Sequence, residues 1–393
     1  MRCYGRFSEL KAKRKKARAY PYFRNAMKYY IIAGEASGDL HGSNLIKALH
    51  AQDTQADVRC WGGDRMETAG ATLVKHYRDL AFMGFVEVIK HLGTILDNIR
   101  FCKEDIRKFH PDVLVLIDYP GFNMRIAEWA KRESIKVVYY ISPQVWAWKE
   151  GRVKKIKRDV DKMLVILPFE KSFYEKWNYP VTYVGHPLVE VVQQEKTQIP
   201  LKPISEKPIV ALLPGSRKQE IQIKLPEMLK MVKHFRDYQF VIAQAPSMPD
   251  EVYTSLTGDE SILLVKNDTY NLLKQAKAAL VTSGTATLET ALFGVPQIVC
   301  YKGNPVSYWL AKKLIKVKYI SLVNLIMDRQ VVVELIQHDL NEEKLKIHLG
   351  KLLNDQSYRE KMLQDYQALW HLLGEKNASS LAAQEIISTA KSH

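Results

Sequence analysis

The chain has little cysteine and no pattern in the four it has: Cys3, Cys60, Cys102 and Cys300 lie far apart, without CxxC or Cys/His ligand spacing. Neither a disulfide framework nor a zinc site is suggested, and a reducing cytosol fits best. Long apolar runs are also missing. Nothing approaches the ~20 residues needed to span a bilayer, and the mean hydropathy of -0.23 is that of a globular chain. No GxGxxG follows the first strand pattern of either half, and no loop is a Walker A sequence. Dinucleotide oxidoreductases and P-loop enzymes are therefore poor readings.

Positive charge is present in excess, +15 over 393 residues, but it is unevenly placed. Residues 1–26 carry nine Lys/Arg and one Glu, so +8 of the total sits there and +7 remains for the rest. That leader has no apolar core and is not a secretory signal. It reads as a mitochondrial-type presequence, a basic tail or sequence upstream of a start at Met27. A strand pattern beginning just after Met27 favours the last.

From Met27 onward, short β-rich apolar runs alternate with helical stretches, the pattern of parallel sheets covered by helices. Strands are expected at 29–33, 113–117, 137–141 and 163–167, and again at 209–213, 240–243, 262–265, 279–281 and 297–300. The chain thus reads as α/β, with two doubly wound domains at 27–190 and 209–340. A polar, Pro-containing linker at 191–208 joins them, and 341–393 is a helical segment packing across both. Gly185-His186-Pro187 marks a turn leading toward the linker, with His186 structural.

Open α/β sheets bind ligands beyond the carboxyl ends of their strands, so chemistry is expected in the loops that follow them. Pro214-Gly215-Ser216-Arg217 lets backbone approach an anion and supplies a guanidinium for phosphate, although it also reads as a turn with a surface arginine. Ser283-Gly284-Thr285 opens a helix whose N–H groups and dipole favour a diphosphate. Many helices begin with such a cap, but the two loops in one half-chain together indicate a nucleotide-diphosphate site. Glu289, one turn inside that helix, could accept hydrogen bonds from ribose hydroxyls. Asn324, in 319–325, could read a base edge or simply cap a turn.

In the first half, Ala33-Gly34-Glu35-Ala36-Ser37-Gly38-Asp39 joins a strand to a helix, with Asp39 as the expected N-cap. Glu35 suits substrate hydroxyls better than packing. Asp118 ends the run 113–117 and so faces the crevice, where it could take a proton from a sugar hydroxyl or merely cap the next loop. The apolar residues 85–106 recur at helical spacing and form a core stripe. Phe82, Met83 and Val86 are a surplus beside it that a membrane or acyl-chain surface would show. Arg152, Lys154 and Lys155, in a cluster that runs to Arg158, could meet anionic lipid or a substrate phosphate, or line a solvated helix face. Trp146 and Trp148 precede them and suit a bilayer interface.

Seven stretches in order resemble the bacterial lipid-A-disaccharide synthases: AGEASGD (33–39), LAFMGFVEV (80–88), PDVLVLIDYPGFN (111–123), YISPQVWAWKEGRV (140–153), LPFEKSFY (167–174), LPGSR (213–217) and SGTATLE (283–289). The resemblance runs from about Met27 to the C-terminus. It implies a GT-B fold of two Rossmann-like domains with the active site between them, and an inverting hexosyltransferase. The implied reaction transfers 2,3-diacylglucosamine from UDP-2,3-diacylglucosamine to 2,3-diacylglucosamine 1-phosphate, giving a β-1,6 disaccharide and UDP. Asp118 matches the family's proposed base, and Glu35 stands as the other catalytic candidate to take the acceptor proton. Arg217, Glu289 and Asn324 match the UDP side. Ser37 joins Phe82, Met83, Val86, Trp146, Trp148, Arg152, Lys154 and Lys155 as an acceptor or membrane contact. Some relatives carry a second acid where this chain has Gly121, which leaves Asp118 less competition. No cofactor or metal is expected, because the resemblance implies that a helix N-terminus and cations handle the leaving diphosphate. The implied setting is peripheral, on the cytoplasmic face of the inner membrane of a Gram-negative bacterium, with a homodimer left open.

Three other readings need separate tests. A UDP-N-acetylglucosamine 2-epimerase shares the fold and would epimerise UDP-N-acetylglucosamine alone. A non-catalytic lipid-binding module would release no UDP from acylated substrates. A nucleic-acid-binding protein draws most of its support from the leader, no RNA- or DNA-binding motif appears, and no nucleic-acid partner is expected.

Overall fold

The computed structural model describes residues 26–80, 92–198, 202–246, 248–258, 262–304, 308, 317–374 and 377–392. These residues form two wholly parallel sheets. The first holds β1 (Lys28–Ala33), β2 (Asp57–Gly62), β3 (Thr72–His76), β4 (Val113–Ile117), β5 (Val137–Tyr140), β6 (Lys162–Val165) and β7 (Thr182–Tyr183), in the order β3-β2-β1-β4-β5-β6-β7. The second holds β8 (Ile209–Leu213), β9 (Gln239–Gln244), β10 (Leu263–Lys266), β11 (Ala276–Thr282), β12 (Gln297–Tyr301) and β13 (Val333–Ile336), in the order β10-β9-β8-β11-β12-β13.

Central strands buried on both faces need apolar residues at every position rather than alternate ones. β4 (VLVLI) and β8 (IVALL) meet that demand, with every residue buried. In each sheet the order reverses beside one of these strands. Ala33 pairs with Ile117 across β1 and β4, and Val281 with Leu213 across β11 and β8. At such a reversal the following helices leave to opposite faces and open a crevice beyond the carboxyl ends. The loops expected to carry the chemistry follow the strands at these two crevices.

Local sequence decides where strands stop. β5 ends at Tyr140 because Ile141 is left-handed at φ +66°, which a β-branched residue rarely adopts. β6 ends at Val165, short of the expected Leu167, because the Ile166 and Leu167 N–H groups donate to the Glu170 carboxylate (3.2 and 2.9 Å). That bond caps the helix Pro168–Glu175.

The chain crosses to the second sheet by way of the helix Pro187–Thr197, and it returns at its end. The helices Glu342–Asn354 and Gln356–Leu373 pack beside the second sheet. The last helix, Ala378–Lys391, lies on Ala36–Gln52, β4 and β5 of the first. Gln52 Nε2 donates to the Ser380 carbonyl (2.9 Å), Lys162 pairs with Glu385 (2.7 Å), and Glu190 accepts from the Ser379 N–H and hydroxyl (2.7 and 2.8 Å).

Candidate functional site

The β1/β4 reversal brings Glu35 and Asp118 together from adjacent strand ends. Asp118 and Tyr119 are both left-handed (φ +43° and +49°), and the helix Pro120–Arg132 starts directly behind them. The bend is held from several sides. The Asp118 carbonyl accepts from Asn123 Nδ2 (2.7 Å) and the Tyr139 hydroxyl (2.6 Å), while its N–H donates to the Tyr140 carbonyl (3.2 Å). The Tyr119 ring covers Gly34, where a Cβ would stand 2.3 Å from Tyr119 Cγ. Strained backbone persists where its surroundings over-determine it, and such strain gathers at functional sites.

That bend leaves the Asp118 carboxyl largely out of water. Burial first and the Glu35 charge second push it up to about 6, against the opposing Tyr119 backbone N–H. At neutral pH it remains mostly ionised, with a proton affinity closer to that of a working base.

Asp118 lines a crevice with Ser37, Gly38, Ile141 and Ser142 from the first sheet's loops, and with Thr285 and Leu322 from the second's. His41 and His186 lie in the same wall. Both are buried, and burial holds His41 at about 4 and His186 at about 3, so both are neutral. His186 Nδ1 also accepts from the Leu188 N–H (3.2 Å), the structural use its turn suggested.

The second sheet's reversal gathers the diphosphate candidates. Arg217 precedes the helix Lys218–Leu229 and keeps a largely exposed guanidinium 3.5 Å from Glu220. Gly284, at φ +130°, is the cap of the helix Thr285–Leu292, with Ser283 half-buried and Thr285 open to the crevice. Burial raises the Glu289 carboxyl, and the Tyr270 hydroxyl donates to its Oε1 (3.0 Å), opposing that rise.

Three expectations change. Asn324 does not offer its amide to a ligand: Nδ2 donates to the Val332 carbonyl and Glu334 (2.9 and 2.8 Å), and Oδ1 accepts from Val331 and Val332 N–H (2.7 and 3.0 Å). A buried amide satisfied four times shapes a loop rather than reading a base. Glu35, not Asp39, holds the N-cap position of Ala36–Gln52, without a side-chain capping bond. The buried Asp39 carboxylate instead accepts from Gly63 and Met66 N–H (2.8 and 3.1 Å), at the start of the helix Asp64–Thr68. Trp146 turns inward to line the crevice, edge-on to Phe169 with centroids 4.9 Å apart, while Trp148 stays 43% exposed. Lys154 and Lys155 are exposed, and the Arg152 guanidinium lies 5.5 Å from the Trp148 ring centre. Phe82, Met83 and Val86 lie outside the described residues.

Sequence reasoning passed over Lys224. It is buried on the helix Lys218–Leu229 among Ile221, Leu225 and Met228, and donates to the Thr282 hydroxyl just before Ser283. The signal was there to find: a lysine standing on the apolar stripe of its own helix.

Comparison with known proteins gives two kinds of likeness. Residues 29–386 match the family described as Lipid-A-disaccharide synthetase. Lipid-A-disaccharide synthase from Trichlorobacter lovleyi is 41% identical over 340 residues, covering 84% of this chain and 88% of that one. The enzyme of the same name from Coxiella burnetii is 39% identical over 367 residues, with 91% and 96% covered. Among solved structures, UDP-GlcNAc 2-epimerase from Neisseria meningitidis, bound to UDP-GlcNAc, superposes with a TM-score of 0.64 at 13% identity, covering 92% of this chain and 100% of that one. The glycotransferase of kitacinnamycin also gives 0.64 at 13%, with 93% and 99% covered. At such identity those two speak for the fold alone.

Proposed function

This chain belongs to the lipid-A-disaccharide synthetase family, a family of GT-B glycosyltransferases, and on that premise we propose how its residues divide the reaction. The donor is UDP-2,3-diacylglucosamine and the acceptor 2,3-diacylglucosamine 1-phosphate. Asp118 takes the proton of the acceptor 6-hydroxyl as its oxygen attacks the donor anomeric carbon from the face opposite UDP. The carbon–oxygen bond to the diphosphate breaks, configuration inverts, and the products are a β-1,6 disaccharide and UDP. Arg217 and the N–H groups opening Thr285–Leu292 receive the charge that develops on the leaving diphosphate. Glu35 orients acceptor hydroxyls and keeps the Asp118 proton affinity high. Glu289, held by Tyr270, accepts from the ribose.

One observation carries this reading: a single crevice is lined by Asp118 from one sheet and by Thr285, the first residue of the diphosphate helix, from the other. A base and a leaving-group site on opposite walls are what an inverting displacement requires.

Membrane contact belongs to the same proposal. Among the described residues no helix is long and apolar enough to cross a membrane. Leu96, Phe101 and Trp148 are large apolar side chains exposed on the first half. With Arg152, Lys154 and Lys155 nearby in the chain, they support peripheral contact with the cytoplasmic face of the inner membrane, as a monomer or a homodimer.

The test is mass-spectrometric detection of disaccharide from the two acylated glucosamine substrates. Asp118→Ala should lower turnover by about 10²-fold or more, the usual contribution of a general base, while UDP binding is kept. Normal turnover in that variant would remove Asp118 from the role. Incubation with UDP-N-acetylglucosamine alone should give no epimer.

A further inference from the structure

Lys224 is 3% exposed, and a buried ammonium is normally matched by a carboxylate in contact. Here the match is incomplete. The nearest carboxylate in its ion pair is Glu220, 3.9 Å away and beyond hydrogen-bond length. Glu220 also serves Arg217 at 3.5 Å. Two fixed cations therefore share one anion. Among the described residues, the other groups beside the Lys224 ammonium are neutral: the Thr282 hydroxyl, the Tyr301 ring centred 5.6 Å away, and the Cys300 thiol, which burial pushes up to about 12. The cluster is thus short of one negative charge among the described residues.

Its place in the fold says what would supply it. Arg217 and Lys224 flank the end of β8, Thr282 ends β11 and Tyr301 ends β12, so the deficit lies at the second sheet's reversal. Thr282 adjoins Ser283 and Gly284, which lead into the helix Thr285–Leu292. We propose that Lys224 is a positioning residue for the donor diphosphate: it anchors the Thr282–Thr285 turn from behind and provides the positive charge that Glu220 leaves uncancelled. This rests on the UDP-sugar reading above. Because the ammonium is screened from water, its field at the turn is stronger than that of an exposed lysine at the same distance. It costs no reorganisation when the leaving charge develops.

The ligand pair UDP and uridine isolates the effect, since they share the base and ribose and differ in the diphosphate. Calorimetric titration of the full chain should show Lys224→Met losing about tenfold or more in UDP affinity with uridine affinity unchanged, the size of a charge-assisted contact. Lys224→Arg should recover part of the loss. With UDP-2,3-diacylglucosamine as substrate, the KM of Lys224→Met should rise and its kcat should fall. Glu220→Gln leaves Lys224 in place and uncovers its charge, so UDP should bind severalfold more tightly while uridine does not, even if Lys224→Met fails to fold. Equal losses of UDP and uridine in Lys224→Met, or weaker UDP binding in Glu220→Gln, would overturn the proposal by making Lys224 a structural residue only. A wild-type chain that fails to prefer UDP over uridine would instead reject the UDP-sugar reading itself.

Discussion

Asp118 must be ionised to accept a proton, yet its surroundings favour the neutral form. The pH dependence follows. With the carboxyl at about 6, kcat/KM should fall about tenfold per pH unit below that point, where the base is progressively protonated. Stability runs the other way. In the unfolded chain an Asp ionises near ~3.9, so between that pH and about 6 the folded chain holds a proton that the unfolded chain has released. Stability from this group therefore declines as pH rises through the window and stays reduced above it. Asp118→Asn removes the charge and should stabilise the fold by about 1–2 kcal/mol at pH 7.5, after allowance for partial solvent contact, and by almost nothing at pH 4. Thermal melts at the two pH values check the sign, and equal shifts at both would show that burial of the charge is not the cause. At this scale sequence foretold position better than use. Asp118 was legible because a carboxylate ends an unbroken apolar run, whereas the role of Asn324 depends on Val331, Val332 and Glu334, which reach it only through the tertiary fold.

Among elements, the helix Leu92–Phe109 shows how a charged residue becomes part of a core. Ile99, Cys102 and Ile106 bury its apolar stripe. Between them Asp105 accepts from the Tyr30 hydroxyl (2.7 Å) and from Arg59 (2.7 and 2.9 Å), and Trp61 Nε1 donates to the Tyr30 oxygen (2.9 Å). One carboxylate thus ties the helix to β1 and β2. Asp105→Ala should cost about 3 kcal/mol, because Arg59 and Tyr30 lose their acceptor together. Asp105→Asn, which keeps one acceptor oxygen, should cost less. The measure is the urea midpoint at constant slope, and a midpoint unchanged in Asp105→Ala would deny the tie. The same network explains why β2 was not foreseen. Its sequence DVRCWG carries an aspartate and an arginine, and the partial burial of Arg59 makes sense only once Asp105 is beside it. β3 and β13 lie at sheet edges, where half-exposed residues blur the apolar pattern, and β7 has two residues. All four strands that flank the two reversals, β1, β4, β8 and β11, were legible, which is why the site could be located before the sheets were complete.

In the whole molecule, the order of the chain matters as much as its parts, because the helix Ala378–Lys391, which follows the second sheet in the chain, closes on the first sheet. Ala378–Lys391 buries Ala382, Ala383, Ile386 and Ile387, and its small alanines allow close approach to Ala36–Gln52, the helix that carries Ser37 and His41 to the crevice. The preceding helix, Gln356–Leu373, packs beside the second sheet, so this terminal segment joins the two walls of the crevice along a route separate from Pro187–Thr197. Ending the chain at Gly374 should therefore loosen the first half more than the second. Burial of four apolar side chains and the loss of the Glu190–Ser379 and Lys162–Glu385 contacts together make a loss of several kcal/mol reasonable. Hydrogen exchange should quicken in Ala36–Gln52, β4 and β5 while β8, β9 and β11 keep their protection. UDP affinity, which depends on the second wall, should survive better than disaccharide synthesis, which needs both. Uniform loss of protection across both sheets would mean that the molecule unfolds as one unit and that the terminal helix is no more than one part of a shared core.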